Sequence, residues 1–513
     1  MWACSKKSKT LIMASVALSI LIASIDLTVV TTAMPKIATE LNGFHYYTWP
    51  LVIYSLTMAV SIPLFGKMGD VYGFKPIYLF GLIDFLIGSL LCGMAPNMIV
   101  LIVFRAIQGV GGAILVANSL TVVGLLFEPA ERAKYMGLLG TAGIAATIFG
   151  PTIGGWITDT MNWRWIFYIN IPFILLGLIF TLLASFPRII RTERVKIDYW
   201  GALELVLAVT PLLLVFTWGG SRYAWNSVPI IGMSFFTILM VIIFLLTENK
   251  VTDPVLPLRF FKNGIFNTAA IEMFLINAIL GGVMTFAPLF MQSVLGYSSQ
   301  KSGGFITPMM ISMVVTMIAG GVLVSKTHRY KLQTIVGIAV IALGCVMLAQ
   351  SSLDSNLNQL TLALIVFGAG AGLAVPIFTS VAQSAFSEND MGAVTGDIQF
   401  FKTLGQTIGP SLLSTFMAHD LASLMKQVHF GALPQFIIRL LKNPDHLTDP
   451  VFFRAVQMKL PHALLPTLNT AVHQLKNALA ASIQHVFWIT LLLSLIAFAV
   501  SIAMKEIKLK QKD

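Results

Sequence analysis

The chain has 513 residues, of which 57% are hydrophobic and only 11% are charged. Soluble domains carry about 25% charged residues, so this composition excludes a soluble protein and indicates an integral membrane protein. The formal net charge of +11 does not indicate nucleic-acid binding, because the cations cluster in short loops and tails, as they do on the cytoplasmic side of membrane proteins. The clusters are Lys6, Lys7 and Lys9; Lys67 and Lys75; Arg132 and Lys134; Arg188, Arg191, Arg194 and Lys196; Lys326, Arg329 and Lys331; and Lys505, Lys508, Lys510 and Lys512.

Apolar runs of about 20 residues recur along the chain and predict membrane-spanning helices, because lipid offers the backbone no hydrogen-bond partners. The predicted spans are 11–33, 49–69, 76–95, 98–122, 134–157, 164–186, 200–218, 228–247, 266–290, 303–325, 332–351, 360–383, 392–417 and 482–504. The even count of fourteen places both termini and all the basic clusters on the cytoplasmic side.

The chain is internally doubled, since a Gly-Pro pair occurs at 150–151 in the fifth span and again at 409–410 in the thirteenth. Two repeats of six helices leave two extra helices between them, and this is a known transporter plan. We therefore expect a six-helix bundle over residues 1–190, two extra helices and linkers over 191–260, and a second six-helix bundle over 261–513 that includes a long external loop, 419–481.

Several ionisable side chains lie inside these apolar spans. They are Asp26, Asp84, Arg105, Glu204, Glu272, Asp397 and Lys402. A charge at the bilayer centre costs about 2.5–3.5 kcal/mol on the insertion scale, so such residues are expected to be functional. We predict that Asp26, Glu272 and Asp397 take up and release protons. Asp84 is either a further proton site or a carboxylate that stays neutral within the packing.

The segment after the second span, from Gly66 to Lys75, predicts a tight cytoplasmic turn that contains Asp70 and Gly73. One interpretation is that the Asp70 carboxylate lies against a helix N-terminus and holds the two halves together. Asp390, just before the thirteenth span, marks a candidate partner helix. The other interpretation is an ordinary solvated turn.

In the fourth span, Arg105 precedes Gln108 and a run of glycines. Arginine keeps its proton in proteins, so it must face a cavity or a carboxylate, and it would then bias that carboxylate toward ionisation. The alternative is a side chain that extends to the membrane surface.

The fifth span contains Gly150, Pro151, Gly154 and Gly155. Proline bends a helix and glycine allows a neighbour to approach closely, so the cluster predicts a pivot and seal. The alternative is ordinary packing of small residues.

Trp49, Tyr54 and Gln108 are candidates for the substrate cavity. Loop 419–481 predicts an interfacial helical hairpin with scattered histidines, or alternatively a lid or an external sensor of pH or metal. The histidines in or beside it are His419, His429, His446, His462, His473 and His485. Their spacing matches no metal-ligand motif.

These motifs resemble the major facilitator superfamily, and in particular its fourteen-span drug:proton antiporter branch. The matching positions are Asp26-Leu27-Thr28-Val29-Val30 with Ala33 and Pro35; Leu101 and Arg105 through Gly112; Gly150-Pro151 with Gly154-Gly155; and Trp163-Arg164-Trp165-Ile166-Phe167 with Asn170 and Pro172. The resemblance implies the major facilitator fold and export driven by inward proton flow. Two positions depart from the family pattern: Phe74 stands where the family usually has a basic residue, and Thr31 stands where it usually has an asparagine.

The sequence therefore predicts an exporter of lipophilic cationic compounds in the bacterial cytoplasmic membrane, which exchanges substrate for protons as a monomer. We expect membrane lipid around it, no nucleic-acid partner, no metal and no cofactor, because the proton gradient would supply the energy. The alternatives are an exporter or flippase of one endogenous lipid or metabolite, and a membrane sensor without transport. No nucleophile–base pair or nucleotide-binding loop indicates an enzyme.

Overall fold

The computed structural model describes residues 5–43, 46–186, 198–220, 222–251, 253–297, 299–353, 355–428 and 464–506, together with 430, 433–435 and 437–438. Fourteen long helices are numbered here in chain order. The first six are α1 Lys6–Glu40, α2 Trp49–Tyr72, α3 Phe74–Met94, α4 Met98–Leu126, α5 Pro129–Thr160 and α6 Trp165–Leu183, of which the last is interrupted at residue 169. The next two are α7 Tyr199–Trp218 and α8 Val228–Glu248. The last six are α9 Gly264–Leu289, α10 Ser299–Thr327, α11 Lys331–Ala349, α12 Leu357–Ser384, α13 Met391–Leu424 and α14 Leu465–Ala503.

Short polar side chains begin several of these helices. Ser5 accepts a hydrogen bond from the backbone N–H of Ser8 at 3.2 Å, and Asn97 accepts one from Val100 at 2.9 Å. Both satisfy amides that have no partner within the first turn of a helix. Each cap therefore fixes where a span starts.

Thirteen of the helices are long and apolar enough to cross a membrane, and α13 is the exception. This helix is 34 residues long, but Asp397, Lys402 and many other polar residues lower its hydropathy. It packs against α2 and α9, and much of it is buried inside the protein rather than exposed to lipid. The predicted all-α membrane fold with fourteen helices is confirmed.

The helices form two bundles and a separate pair. Helices α1 to α6 pack on one another, and α9 to α14 form a second group with its own large apolar core. Helices α7 and α8 pack together as an accessory hairpin, and α7 contacts α2 in the first bundle and α13 in the second. Residues 187–197, which contain the predicted cluster Arg188, Arg191, Arg194 and Lys196, lie outside the described residues.

Both described chain ends lie at the same end of the bundles, which we call the basic side. There the Nζ atom of Lys9 lies 5.7 Å from the ring centroid of Phe127, between α4 and α5. At the other chain end, the hydroxyl of Tyr330 donates to the carbonyl of Lys505 at 2.7 Å. The loops with most of the predicted cation clusters share this side, and the other end is called the opposite side.

The predicted loop 419–481 is too long, because helix continues into it from both ends. Helix α13 ends at Leu424 and α14 begins at Leu465, so residues 419–424 and 465–481 are helical. These extensions have mixed polar and apolar residues, so a prediction based on the length of apolar runs does not detect them. His485 Nδ1 lies 2.8 Å from Asp420 Oδ2, which joins α14 to α13. Residues 439–463, as well as His429 and Phe436, lie outside the described residues.

Candidate functional site

Asp26 lies in the middle of α1, and its side chain has no exposed surface. Its carboxylate forms an ion pair with the Nη1 atom of Arg105 on α4. It also accepts hydrogen bonds from Gln108 Nε2 at 2.9 Å and from Asn170 Nδ2 at 3.1 Å. Three helices of the first bundle, α1, α4 and α6, therefore meet at one carboxylate.

The Arg105 side chain is held on several sides and is also fully buried. Its Nε atom donates to the carbonyl of Pro50 at 3.2 Å, and Nη1 donates to Gln108 Oε1 at 2.7 Å. The guanidinium carbon lies 4.1 Å from the ring centroid of Tyr54, which is the distance of a cation–π contact. The Nη2 atom is buried without a hydrogen-bond partner in the described part of the chain.

This arrangement answers the question that the sequence left open for Arg105. The side chain does not extend to the membrane surface, but pairs with a carboxylate 79 residues earlier in the chain. Asp26 acts only as an acceptor in its three contacts, which is the role of an ionised carboxylate. Removing one partner of such a buried pair typically costs about 3–5 kcal/mol, so the pair is a strong constraint on the first bundle.

Two further predicted carboxylates are buried in a different manner. Glu272 on α9 and Asp397 on α13 have no exposed surface, and none of their four oxygens has a hydrogen-bond partner within the described residues. A buried ionised carboxylate without a partner is costly, and such a group usually takes up a proton instead. The second bundle therefore holds two buried carboxyl groups that no described side chain or backbone group satisfies.

Asp84 is placed apart from the Asp26 contacts. It is half-buried on α3, and a Cβ atom added at Gly111 on α4 would lie 2.9 Å from its Oδ2 atom. Glu204 lies in the accessory hairpin, where its Oε1 atom accepts a hydrogen bond from the Thr247 hydroxyl at 3.1 Å. Neither residue takes part in the Asp26–Arg105 network.

Asp70 joins the two bundles at the basic side. Its two carboxylate oxygens accept hydrogen bonds from the backbone N–H groups of Gly392 and Ala393, each at 2.8 Å. These amides open the first turn of α13, where the helix dipole favours a negative charge. Asp70 is only 2% exposed, so the structure matches the helix-terminus interpretation and not the solvated turn.

The glycines and the lysine of the same segment have separate roles. A Cβ atom at Gly66 would lie 2.6 Å from the carbonyl oxygen of Gly392, so α2 and α13 touch through their backbones. Gly73 ends α2 with a φ of 89°, a conformation that glycine adopts readily. Lys75 turns away from Asp70 and donates to the carbonyls of Leu182 at 3.1 Å and Ala184 at 2.8 Å at the end of α6.

Sequence reasoning missed further contacts between the bundles on the basic side. A Cβ atom at Gly137 on α5 would lie 2.8 Å from the carbonyl oxygen of Met317 on α10. Gln383 on α12 donates from Nε2 to the carbonyl of Leu120 on α4 at 3.2 Å. The protein is therefore closed on its basic side, and this pairing of helices far apart in sequence has no local sequence signal.

The Gly150 to Gly155 segment packs against α1, but only in part. A Cβ atom added at Gly150 would lie 1.9 Å from the Oγ1 atom of Thr28. A Cβ atom added at Gly154 would lie 2.3 Å from the Oγ1 atom of Thr32. At Gly155 it would meet nothing within 4 Å. Pro151 is exposed within the helix. Close approach of α1 to α5 therefore depends on the first two of these glycines and not on Gly155.

The three candidates for the substrate cavity have different environments. Tyr54 and Gln108 are fully buried, so a substrate could reach them only after the first bundle rearranges. Trp49 is half-buried, and its ring centroid lies 5.4 Å from that of Trp218 at the opposite-side end of the accessory hairpin. Sequence reasoning missed Asn170 and Ser89 as polar partners in this region; Ser89 accepts a hydrogen bond from Gln108 at 3.0 Å.

Comparison with known proteins gives consistent results. Residues 16–410 match the family model of the Major Facilitator Superfamily. The chain is 36% identical over 519 residues to the multidrug transporter protein MdtP of Bacillus subtilis, covering 99% of this chain and 95% of the relative. It is 31% identical over 495 residues to multidrug resistance protein 3 of the same organism, covering 96% and 94%.

Among solved structures, the fold resembles that of the human organic anion transporter MFSD10. The TM-score is 0.62 at 14% identity, and the match covers 96% of this chain and 100% of the other. A second match is the proton:xylose symporter XylE, with a TM-score of 0.58 at 13% identity over 98% of this chain and 97% of the other. At these identities the likeness concerns the fold alone.

Proposed function

This chain belongs to the major facilitator superfamily of membrane transporters, and on that premise we propose that it is a proton-coupled antiporter that exports lipophilic cationic drugs or toxic compounds. The observation that carries the proposal is the unequal state of its buried acids. Asp26 is tied to Arg105, whereas Glu272 and Asp397 have no hydrogen-bond partner among the described residues. A coupled exporter needs acidic groups that change protonation, and the second bundle supplies two of them.

The proposed cycle alternates between a state that is open on the basic side and a state that is open on the opposite side. In the structure the basic side is shut by the Asp70 contact to α13 and by α5 against α10. Protons arriving from the opposite side would bind Glu272 or Asp397, and a cationic substrate would leave the same negatively charged region. Opening of the basic side would then release protons inward. Asp26 and Arg105 would hold the first bundle rigid, or exchange their pairing when a substrate cation approaches.

The orientation follows from the charge distribution. We assign the basic side to the cytoplasm, since lysine and arginine are retained in cytoplasmic loops, and both termini then lie inside the cell. The relatives named as multidrug transporters are bacterial, which supports a bacterial cytoplasmic membrane and lipophilic small molecules as substrates. We propose a monomer that uses the proton gradient and needs no cofactor, nucleic acid or metal.

Transport in proteoliposomes tests the proposal. Purified protein is reconstituted, a pH gradient is imposed, and movement of a fluorescent lipophilic cation is followed. We expect Glu272→Gln and Asp397→Asn each to abolish gradient-driven transport while leaving substrate binding within a fewfold of the original. Asp159→Asn is the matched control, because this exposed carboxylate lies at the far end of α5. If Asp26→Asn, Glu272→Gln and Asp397→Asn all retain gradient-driven transport, the proposal is wrong.

The breadth of the substrate range separates this proposal from an exporter of a single metabolite or lipid. A panel of chemically unrelated lipophilic cations, together with neutral and anionic compounds, is assayed in the same vesicles. Transport of several unrelated cations supports a drug exporter. Transport of one compound class only, with the same dependence on Glu272, would retain proton coupling but replace the substrate assignment.

A further inference from the structure

A cavity of about 440 Å³ opens on the basic side of the second bundle, away from Asp26, Glu272 and Asp397. Three distant segments line it. Arg259 and residues 262–265 come from the linker after α8 and the start of α9, Phe386 follows α12, and Lys505 follows α14. The cavity thus lies where several helix ends of one bundle meet.

The rim of this cavity is strongly cationic. Arg259, Lys262 and Lys505 all line it, and none of the described residues that line it is acidic. Arg259 also forms an ion pair with Asp390 at 2.5 Å. A guanidinium has five N–H donors, so one contact to Asp390 leaves it able to bind a second anion. The charge and the shape of the rim together favour an anionic ligand.

Packed aromatic rings lie behind the apolar wall of the cavity. Phe386 lies 4.6 Å from Phe260 and 6.0 Å from Phe266, measured between ring centroids, and the latter two rings have no exposed surface. Ile265, which is 8% exposed, completes the apolar wall. A ligand that combines a negative charge with hydrocarbon suits these surroundings better than a simple ion does.

Backbone groups add to the positive character. Helix α9 begins at Gly264 on the cavity wall, and Asn263 caps it by accepting a hydrogen bond from Ile265 at 2.9 Å. A Cβ atom at Gly264 would meet nothing within 4 Å, so an anion can approach the backbone there. The N-terminus of a helix attracts phosphate groups through its free amides and its dipole.

We propose that this cavity binds a phosphate group, and that the phosphate is the headgroup of an acidic phospholipid in the membrane leaflet on the basic side. The cations would contact the phosphate, and the wall of Ile265 and Phe386 would contact the glycerol and the upper acyl chains. A bound lipid would connect the linker after α8 to the ends of α12 and α14. This site is separate from the proposed proton sites, so its test is independent of transport.

Native mass spectrometry of the intact protein in detergent measures the binding. The probe is phosphatidylglycerol, and the comparison is phosphatidylcholine, whose phosphate is balanced by a quaternary ammonium group so that its net charge is zero. We expect Lys262→Gln with Lys505→Gln to weaken phosphatidylglycerol binding roughly tenfold or more and to leave phosphatidylcholine unchanged, since each cation near the membrane surface contributes substantially to acidic-lipid binding. The matched control is Lys326→Gln with Arg329→Gln, which removes two exposed cations from the same side outside the cavity.

A competition experiment identifies the source of the phosphate. If millimolar inorganic phosphate displaces phosphatidylglycerol only weakly, the lipid assignment holds. If inorganic phosphate alone binds, and the Lys262 and Lys505 pair of substitutions abolishes this binding, the site is a phosphate site but its ligand is soluble. Equal loss of phosphatidylglycerol binding in the cavity variant and in the control variant, or no loss in either, would overturn the proposal.

Discussion

The Asp70 carboxylate at the end of α2 accepts a hydrogen bond from the backbone amide of Gly392, the second residue of α13, at 2.8 Å. These residues belong to different bundles and lie 322 positions apart. A second bond, to the next amide, fixes the carboxylate on the helix axis. This contact adds one charged side chain to the closure of the basic side, beside the packing of α5 on α10 and the hydrogen bond from Gln383 to Leu120.

Asp70→Asn is therefore expected to shift the protein toward a state that is open on the basic side. The amide keeps one acceptor oxygen but loses the second acceptor and the charge that interacts with the helix dipole, a loss of about 1–2 kcal/mol. The shift in population is then roughly five- to thirtyfold. Glu131 on α5 and Lys326 on α10 are both exposed and can carry spin labels. Double electron–electron resonance should show a longer distance between the two labels in the variant. Unchanged distances would mean that the other contacts alone keep this side closed.

The buried pair predicts a characteristic double-mutant result. Arg105→Gln alone should destabilise the protein by about 3–5 kcal/mol, because it leaves Asp26 buried without its cation. Adding Asp26→Asn should recover part of that loss, since two neutral amides remain. Thermal unfolding in detergent of the parent, the two single variants and the double variant gives the coupling free energy between Arg105 and Asp26. Additive effects would show that the two side chains do not stabilise each other in the membrane protein.

Glycines of α5 offer a matched pair of substitutions. At Gly154 a methyl group would lie 2.3 Å from Thr32 Oγ1 and 3.0 Å from the Cα atom of Val29, so α1 must move. We expect Gly154→Ala to destabilise the protein by about 1–3 kcal/mol and to slow transport. Gly155→Ala enters open space and should behave as the parent in both unfolding and transport assays. Equal behaviour of the two variants would refute the role of this close packing.

Glu248 at the end of α8 fixes the linker that follows. Its Oε1 atom accepts hydrogen bonds from the backbone amides of Val255 at 3.0 Å and Leu256 at 3.2 Å. Glu248→Ala should raise hydrogen exchange of these amides by roughly two- to tenfold, because each hydrogen bond contributes about 0.5–1.5 kcal/mol. Glu248→Gln keeps an acceptor oxygen and should retain most of the protection. Exchange that is the same in both variants would show that the linker is held by packing alone.

Much of the fold was predictable because membrane insertion depends on local properties. Run length and apolarity located fourteen helices, but not the helical extensions of α13 over residues 419–424 and of α14 over residues 465–481. The cost of a buried charge likewise selected Asp26, Arg105, Glu272 and Asp397 without any structure. The helix start near Asp390 was also visible in sequence, but the tight turn predicted from Gly66 to Lys75 was too long, because α2 continues to Tyr72 and Asp70 lies in its last turn.

The tertiary structure alone decided which charges meet. Arg105 pairs with Asp26 and not with another acid, since α1 and α4 pack side by side in the first bundle, whereas α9 and α13 turn Glu272 and Asp397 toward places with no donor among the described residues. Closure on the basic side likewise depends on how α2 meets α13 and α5 meets α10. Hydrophobicity acts on each segment separately, whereas ion pairing requires two side chains to share a position and an orientation that only the packed helices define.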